Sequence, residues 1–322
     1  MLALQFKKSE GHKSKFSLFL TLFNLPFIFV VVSKFMGLFL TVLFLLGTVV
    51  GFTQTKAELD SLTKVLEVVY ERDQVPRLQL DSIEQQYGYH SMRVKEQWKL
   101  IESNDSANIL AVTQILNNLG WLSETQTSKT ANSALFLAVQ HAELSLQIKY
   151  IGIVKQAVEK GNAKPSDYAY LVDRVNMRQG KLQIYGSQFS ISTNGKAYLY
   201  PVKDEPGVNA RRKKIGLPPL QETARKFGFV YNLPGKDRLK NKLIVTGFVI
   251  EKDQTPINGV HIKFGSKVAA KTNADGFYQA NIEENRLKEP LTFTKDGYIV
   301  SDPPLKNEGK EVYELSIMLT KK

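Results

Sequence analysis

The residues of this sequence whose types suit chemistry gather between positions 134 and 188. His141 lies in an alanine-rich apolar run, and Asp173, Ser187 and several glutamines follow it. An imidazole held in one tautomer by a carboxylate can act as a general base, and a nearby hydroxyl can then attack. His141 and Asp173 are therefore the candidate catalytic pair, with Ser187 as the third member of a triad. Arg174, next to Asp173, offers a planar fork for an anionic group. Gln140, Gln147, Gln183 and Gln188 suit a sugar or peptide ligand, with Tyr185 and Ser187 beside them.

Two counts narrow this chemistry. There are four histidines, and His141 is the only one between His90 and His261, with no HExxH spacing around it. A site built from imidazoles is thus poorly supported, and neither a metal nor a cofactor is expected. No Gly-x-Ser-x-Gly elbow exists, and Gly186-Ser187-Gln188 is a weak substitute for one. The same residues also suit architecture: a buried His donates to Asp, Arg pairs with Asp, and Gln satisfies helix ends and a hairpin. Architecture ranks first, a groove for a polar ligand second and catalysis third.

The elements that must position these residues are mainly helical. Leu59, Leu62, Leu66 and Val69 step by three and four, the mark of a buried helix stripe. The charge run Glu71-Arg72-Asp73-Gln74 is expected to close that helix before Pro76 and to face solvent. Ser91 is expected to cap a helix carrying Val94, Trp98 and Ile101, and Asp105 to cap another that stops at Gly120. Ser128 opens a helix running through Ala131, Ala138, His141 and Ile148. Gly161 ends the next, and Pro165 suits the first turn of the one after. The period then changes, and Asn194-Gly195 between alternating residues predicts a β-hairpin. Residues 210–229 read as short helices broken at Gly216-Leu-Pro218-Pro219. The cluster Arg211-Arg212-Lys213-Lys214 reads as a solvated turn or a contact for anionic envelope polymers.

At this point the residues resemble a bacterial family catalogued only as a domain of unknown function, number 6624. The likeness rests on Glu71-Arg72-Asp73-Gln74 with Arg77, Asp105-x-x-Asn108, Gly120-Trp121, Gln140-His141-Ala142, Gln147 and Tyr150. It continues through Asp173-Arg174, Gly180, Gln183 to Gln188, Arg211-Arg212 and Gly216-Leu-Pro218-Pro219. It covers about residues 60–225, and Ser187 stands where the family more often has Thr. The resemblance implies domain limits and no activity.

Residues 230–242 are polar and basic, with a Pro-Gly pair, and read as a linker. Short alternating strands follow over 243–250, 259–264, 276–282, 291–294 and 312–319, the pattern of a small β-sandwich. Val245-x-Gly247-x-Val249, Pro256-Ile-x-Gly259-Val260 and Thr272-Asn-x-Asp275-Gly276-x-Tyr278 make this part similar to the carboxypeptidase regulatory-like domain. That resemblance implies a transthyretin- or immunoglobulin-like sandwich without peptidase residues. Asp275 is expected to form a turn rather than bind calcium.

Residues 16–52 are almost wholly apolar, and Phe35 to Phe52 is 18 residues without a charge, close to a membrane span. Ser33-Lys34, Leu38 to Val50 and Gly51 to Gln54 follow the order of a signal peptide, with translation starting near Val32. The other reading is an uncleaved anchor, with Lys7, Lys8, Lys13 and Lys15 kept inside. Either exports the rest of the chain.

The charge balance and the absence of cysteine narrow the chemistry without fixing the compartment. The formal net charge is +12. Residues 1–34 hold five Lys against one Glu, +4, and residues 200–242 hold eleven Lys/Arg against four acids, +7, which leaves +1 elsewhere. A nucleic-acid face would spread its basic residues among aromatics on the folded part, so no nucleic-acid partner is expected. With no cysteine there are no disulfides, thiolate nucleophiles or Cys-ligated zinc. The expectation is an α+β multidomain chain: a targeting or anchor segment (1–55), a mainly helical domain (56–229), a linker (230–242) and a sandwich (243–322). Its expected partners are the membrane and an envelope protein or glycan. Its expected role is binding, with a hydrolase of envelope material as the alternative.

Overall fold

A computed structural model describes residues 54–322. The expected targeting segment, and with it the signal-peptide and anchor readings, lies outside the described residues. Among the described residues no helix is long and apolar enough to cross a membrane.

The first helix, α1 (Lys56–Tyr87), does not stop at its charge run but passes through Pro76. Proline has no N–H, so the carbonyl four residues earlier loses its helical donor. That carbonyl is Arg72's, and the Asn104 side-chain amide donates to it at 2.9 Å. Gln97 donates to the Pro76 carbonyl at 2.7 Å, and Asn108 to that of Val69 at 3.3 Å. All three donors belong to α2 (Met92–Leu119), which thus supplies what the proline removes. Ser91 caps α2 as expected, accepting from the Val94 amide at 3.3 Å. Asp105 caps nothing; α2 runs straight through it.

The helix that Ser128 caps also differs from expectation. It ends at His141 as α3 (Lys129–His141), and α4 (Leu144–Glu159) starts afresh. Ala142 is extended between them, and its carbonyl accepts from Arg178 at 2.7 Å. Next comes α5 (Pro165–Arg178), with proline in its first turn. Leu66, Val112, Leu135, Val139, Val154 and Leu171 are fully buried where these helices meet. Each such side chain contributes about 1.5–3 kcal/mol of burial, so this core fixes the helix ends that carry the polar residues.

Strands β1 (Phe189–Ile191) and β2 (Ala197–Leu199) form the expected hairpin, and α6 (Val208–Lys214) and α7 (Leu220–Lys226) follow. Residues 230–242 hold neither helix nor strand, yet they are pinned rather than loose. Arg238 pairs with Glu205 at 2.7 Å, Tyr231 donates to Glu205 at 2.9 Å, and Leu239 is buried against Leu182 and Tyr200.

The sandwich packs two sheets. One places β3 (Leu243–Ile250) between β6 (Phe277–Ile282) and β8 (Val312–Glu314), with β9 (Ile317–Met318) also on β3. The other has the order β5-β4-β7, from β4 (His261–Phe264), β5 (Lys267–Lys271) and β7 (Leu291–Thr294). It is mainly antiparallel, but β8 and β9 run parallel to β3. The expected last strand is thus split, and β5 is additional, its lysine-rich run hiding the alternation. Gly247 faces the split, where a Cβ would strike the Leu315 carbonyl oxygen.

The hairpin locks onto this sandwich. Asp275 accepts from Asn194 at 2.7 Å and Tyr198 at 2.6 Å, and pairs with Lys196 at 2.9 Å. The Tyr198 ring stacks on Phe277 with centroids 4.0 Å apart. Asp275 therefore serves as a latch as well as a turn.

Candidate functional site

The two halves of the expected groove come apart. Asp173 does not hold His141. Its buried carboxylate accepts from the backbone amides of Ile184 at 2.6 Å, Tyr185 at 3.0 Å and Ser187 at 3.0 Å. Burial pushes this carboxyl up, and the amides oppose that. Gln183 donates to the Tyr200 carbonyl at 2.5 Å and accepts from the Gln188 amide at 2.9 Å. Gln188 donates to the Ser187 hydroxyl at 3.1 Å, and both side chains are buried. Arg212 is buried too and donates to the carbonyls of Tyr185 at 2.7 Å and Pro218 at 2.6 Å. Arg211 donates to the Ile184 carbonyl at 2.9 Å. So Asp173, Gln183, Ser187, Gln188 and the Arg211-Arg212 pair clamp the turn around Tyr185. For that pair the solvated or polymer-binding reading gives way, because Arg212 spends its donors on this turn and Thr223 and Arg211 divides its own among Ile184, Lys203 and Asp204; Lys213 and Lys214 are exposed, as that reading expects. Among the described residues Ser187 has no imidazole hydrogen-bonded to it that could activate it.

His141 instead meets α1. Its Nδ1 lies 2.6 Å from Asp73 Oδ2. Asp73 is fully buried, contrary to the expected solvated run, because the helix that continues past Pro76 keeps it on the inner face. Its Oδ2 also pairs with Arg77 at 3.1 Å, and Arg77 reaches Asp105 at 2.7 Å. Gln74 donates to Asp73 Oδ1 at 2.7 Å. Burial works to raise the Asp73 carboxyl, yet the His141 bond and the charges around it win and hold it below its usual range. The ionised carboxylate can only accept, so Nδ1 carries the proton and Nε2 presents a lone pair. Burial keeps the imidazole below its ordinary range and so neutral. Nε2 has no hydrogen-bond partner among the described residues, and the side chain is 15% exposed.

Arg174 and Arg178, one turn apart on α5, complete the cluster. Arg178 caps the end of α3, as noted above, whereas Arg174 is buried with no carboxylate partner among the described residues, its Nε unpaired. Burial lowers its guanidinium to about 10, and the charges of Arg178 and Arg77 act in the same direction. Gln147 donates to the Gln140 carbonyl at 2.7 Å, while both amide atoms of the buried Gln140 side chain find no partner among the described residues. Tyr185, half-buried, belongs to the clamp by its backbone. Among the expected residues, then, only Gln140, His141, Gln147 and Arg174 remain around the imidazole's helix end.

Asp73, Arg77 and Asp105 stand in the family pattern, but their types and spacing do not bring them to His141. A proline-interrupted charge run reads as a helix end, and only the donors on α2 undo that reading. Asp73, Asp105 and His141 offer ligand atoms within 4.8 Å of one another, which suits a divalent ion. The Arg77 guanidinium already bridges both carboxylates, so an ion would have to displace it.

The described residues thus define an α+β protein whose helical domain holds a His–Asp–Arg centre built on the buried Asp73. The chain belongs to the family of unknown function DUF6624, whose profile matches residues 61–236. No curated protein matches the chain. The matched span holds the whole His141 cluster and the whole clamp. It stops before β3.

A further concave surface lies on the sandwich. A groove of about 610 Å³ is lined by His261, Lys263, Lys271, Lys295 and Tyr298 among others.

Proposed function

We propose that this chain is an exported, envelope-associated binding protein whose helical domain holds a polar ligand against His141. One observation carries the reading: Nε2 of a neutral imidazole, oriented by an ionised Asp73, lacks a partner among the described residues. Export is supported by the apolar run before residue 53, read as a signal peptide or membrane anchor facing the periplasm or cell surface. The sandwich is an accessory module similar to the carboxypeptidase regulatory-like domain. That likeness is supported by its glycine pattern, since Gly247 and Gly276 both stand where a Cβ would strike a carbonyl oxygen. The lysines of its groove suit an anionic envelope glycan or protein.

The same observation favours a second reading, a hydrolase of envelope material. His141 would act as general base and Asp73, rather than Asp173, as the residue that orients it.

Diethylpyrocarbonate labelling of the full chain, mapped by mass spectrometry, tests the site. The reagent attacks a neutral, reachable imidazole nitrogen. His141 is expected to react at neutral pH, with the exposed His90 as internal control. Labelling of His90 with none at His141 in the folded protein would mean a sealed, purely architectural histidine.

A further inference from the structure

We propose that the ligand of the His141 site carries an oxyanion, a phosphate or carboxylate group, and that Arg174 is the residue that receives it. This rests on the reading of His141 as a ligand site and names the chemistry of that ligand.

Buried charges in proteins are paired or hydrogen-bonded, because an unpaired ion away from water is costly. Every other buried charge near α5 obeys this rule. Asp73 has His141 and Arg77; Asp173 has three amides; Arg212 has three carbonyls and the Thr223 hydroxyl. Arg174 does not: it is 5% exposed, and its Nε has no acceptor among the described residues. The local charge count points the same way. Arg77, Arg174 and Arg178 bring three positive charges, Asp73 and Asp105 bring two negative, and His141 is neutral, so one positive charge is left over. A singly charged oxyanion would balance it. Arg77 cannot serve as the receiver, since both its carboxylate partners are already in place. Arg174 presents a planar donor fork that matches two oxygens of a phosphate or carboxylate.

Arg174 would hold the anionic group, and Nε2 of His141 would face a hydroxyl or amide of the same ligand. A carboxylate ligand and a phosphate ester share the anchor and differ in oxygen count, so both probes are needed to tell them apart.

The test is calorimetric titration of the full chain with inorganic phosphate and, separately, acetate. The wild type is expected to bind at least one of them with one-to-one stoichiometry. Arg174→Gln is expected to weaken that binding at least tenfold, and Arg225→Gln, at an exposed site, to leave it unchanged. Thermal melting in an anion-poor buffer guards against misfolding. Because Arg174 is unpaired without ligand, Arg174→Gln is expected to melt at the wild-type temperature or above it. No saturable binding of either anion, or binding that survives Arg174→Gln, overturns the proposal. A markedly lower melting temperature for Arg174→Gln also overturns it, since the arginine would then be architectural. If an anion binds through Arg174 but leaves the His141 ring resonances unmoved, the oxyanion site stands and the His141 reading fails.

Discussion

Asp173 and Arg174 are neighbours on one helix, and they anchor two polar clusters built in opposite ways. Around Asp173 every group is answered. The carboxylate takes three backbone amides, Gln183 bridges Tyr200 and Gln188, and Arg212 takes the carbonyls that remain. Around Arg174 a guanidinium nitrogen, the Gln140 amide and the second imidazole nitrogen lack partners among the described residues. A network with every member satisfied stiffens a fold and leaves nothing for a ligand. One with an excess buried charge and an open ring nitrogen retains binding capacity at a cost in stability. The difference separates scaffold from candidate site within one turn of helix.

The comparison breaks most readily at the clamp. Asp173→Ala strands three buried amides and should cost about 3–5 kcal/mol, read from urea denaturation. A loss under about 1 kcal/mol would mean the turn at Tyr185 does not depend on it. Arg212→Met, which frees the carbonyls of Tyr185, Gly186 and Pro218, should cost about 2–3 kcal/mol by the same measurement. On the site side the effect is smaller. His141→Gln keeps a donor for Asp73 and should cost about 1 kcal/mol or less, while abolishing ligand binding. A cost as large as that of Asp173→Ala would make the two clusters alike. Between domains, Tyr198→Phe removes one of Asp275's donors but leaves Asn194 and Lys196, so about 1 kcal/mol is expected.

Acid should act through the site rather than the clamp at first. The folded His141 titrates below its ordinary 6.5, so the unfolded chain takes up the proton first. Its contribution is complete above pH 6.5 and is lost as pH falls through the folded value. Asp73, lowered below its ordinary 3.8, adds a second loss at more acid pH. In stability–pH curves, His141→Gln should remove the first loss and Asp73→Asn the second.

The sequence made much of this frame legible. Ser91 and Ser128 cap their helices, Gly120 and Gly161 follow helix ends, and Pro165 starts a helix, because each signal is local. The Asn194-Gly195 hairpin was equally local, though Asn194's reach to Asp275 was not. The misreadings share a cause. Pro76 looked like a stop because its repair comes from Gln97, Asn104 and Asn108 on another helix. Asp105 looked like a cap because its partner, Arg77, lies 28 residues away. Asp173 looked like the partner of His141 because residue types do not say which carboxylate arrives. In the candidate site, His141 and Arg174 are the residues already expected from their chemistry alone. Asp73 was hidden inside a charge run whose ordinary meaning is a wet surface.

Everything proposed for the site turns on His141 being an oriented, neutral and reachable imidazole. Nitrogen-15 NMR of the histidine-labelled full chain measures this directly through the shifts of both ring nitrogens against pH, with and without phosphate. A protonated Nδ1 and a bare Nε2 are expected at neutral pH, with a midpoint below 6.5 and an Nε2 shift that moves when phosphate is added. An imidazole protonated at Nε2, or one charged at neutral pH and indifferent to phosphate, would contradict it.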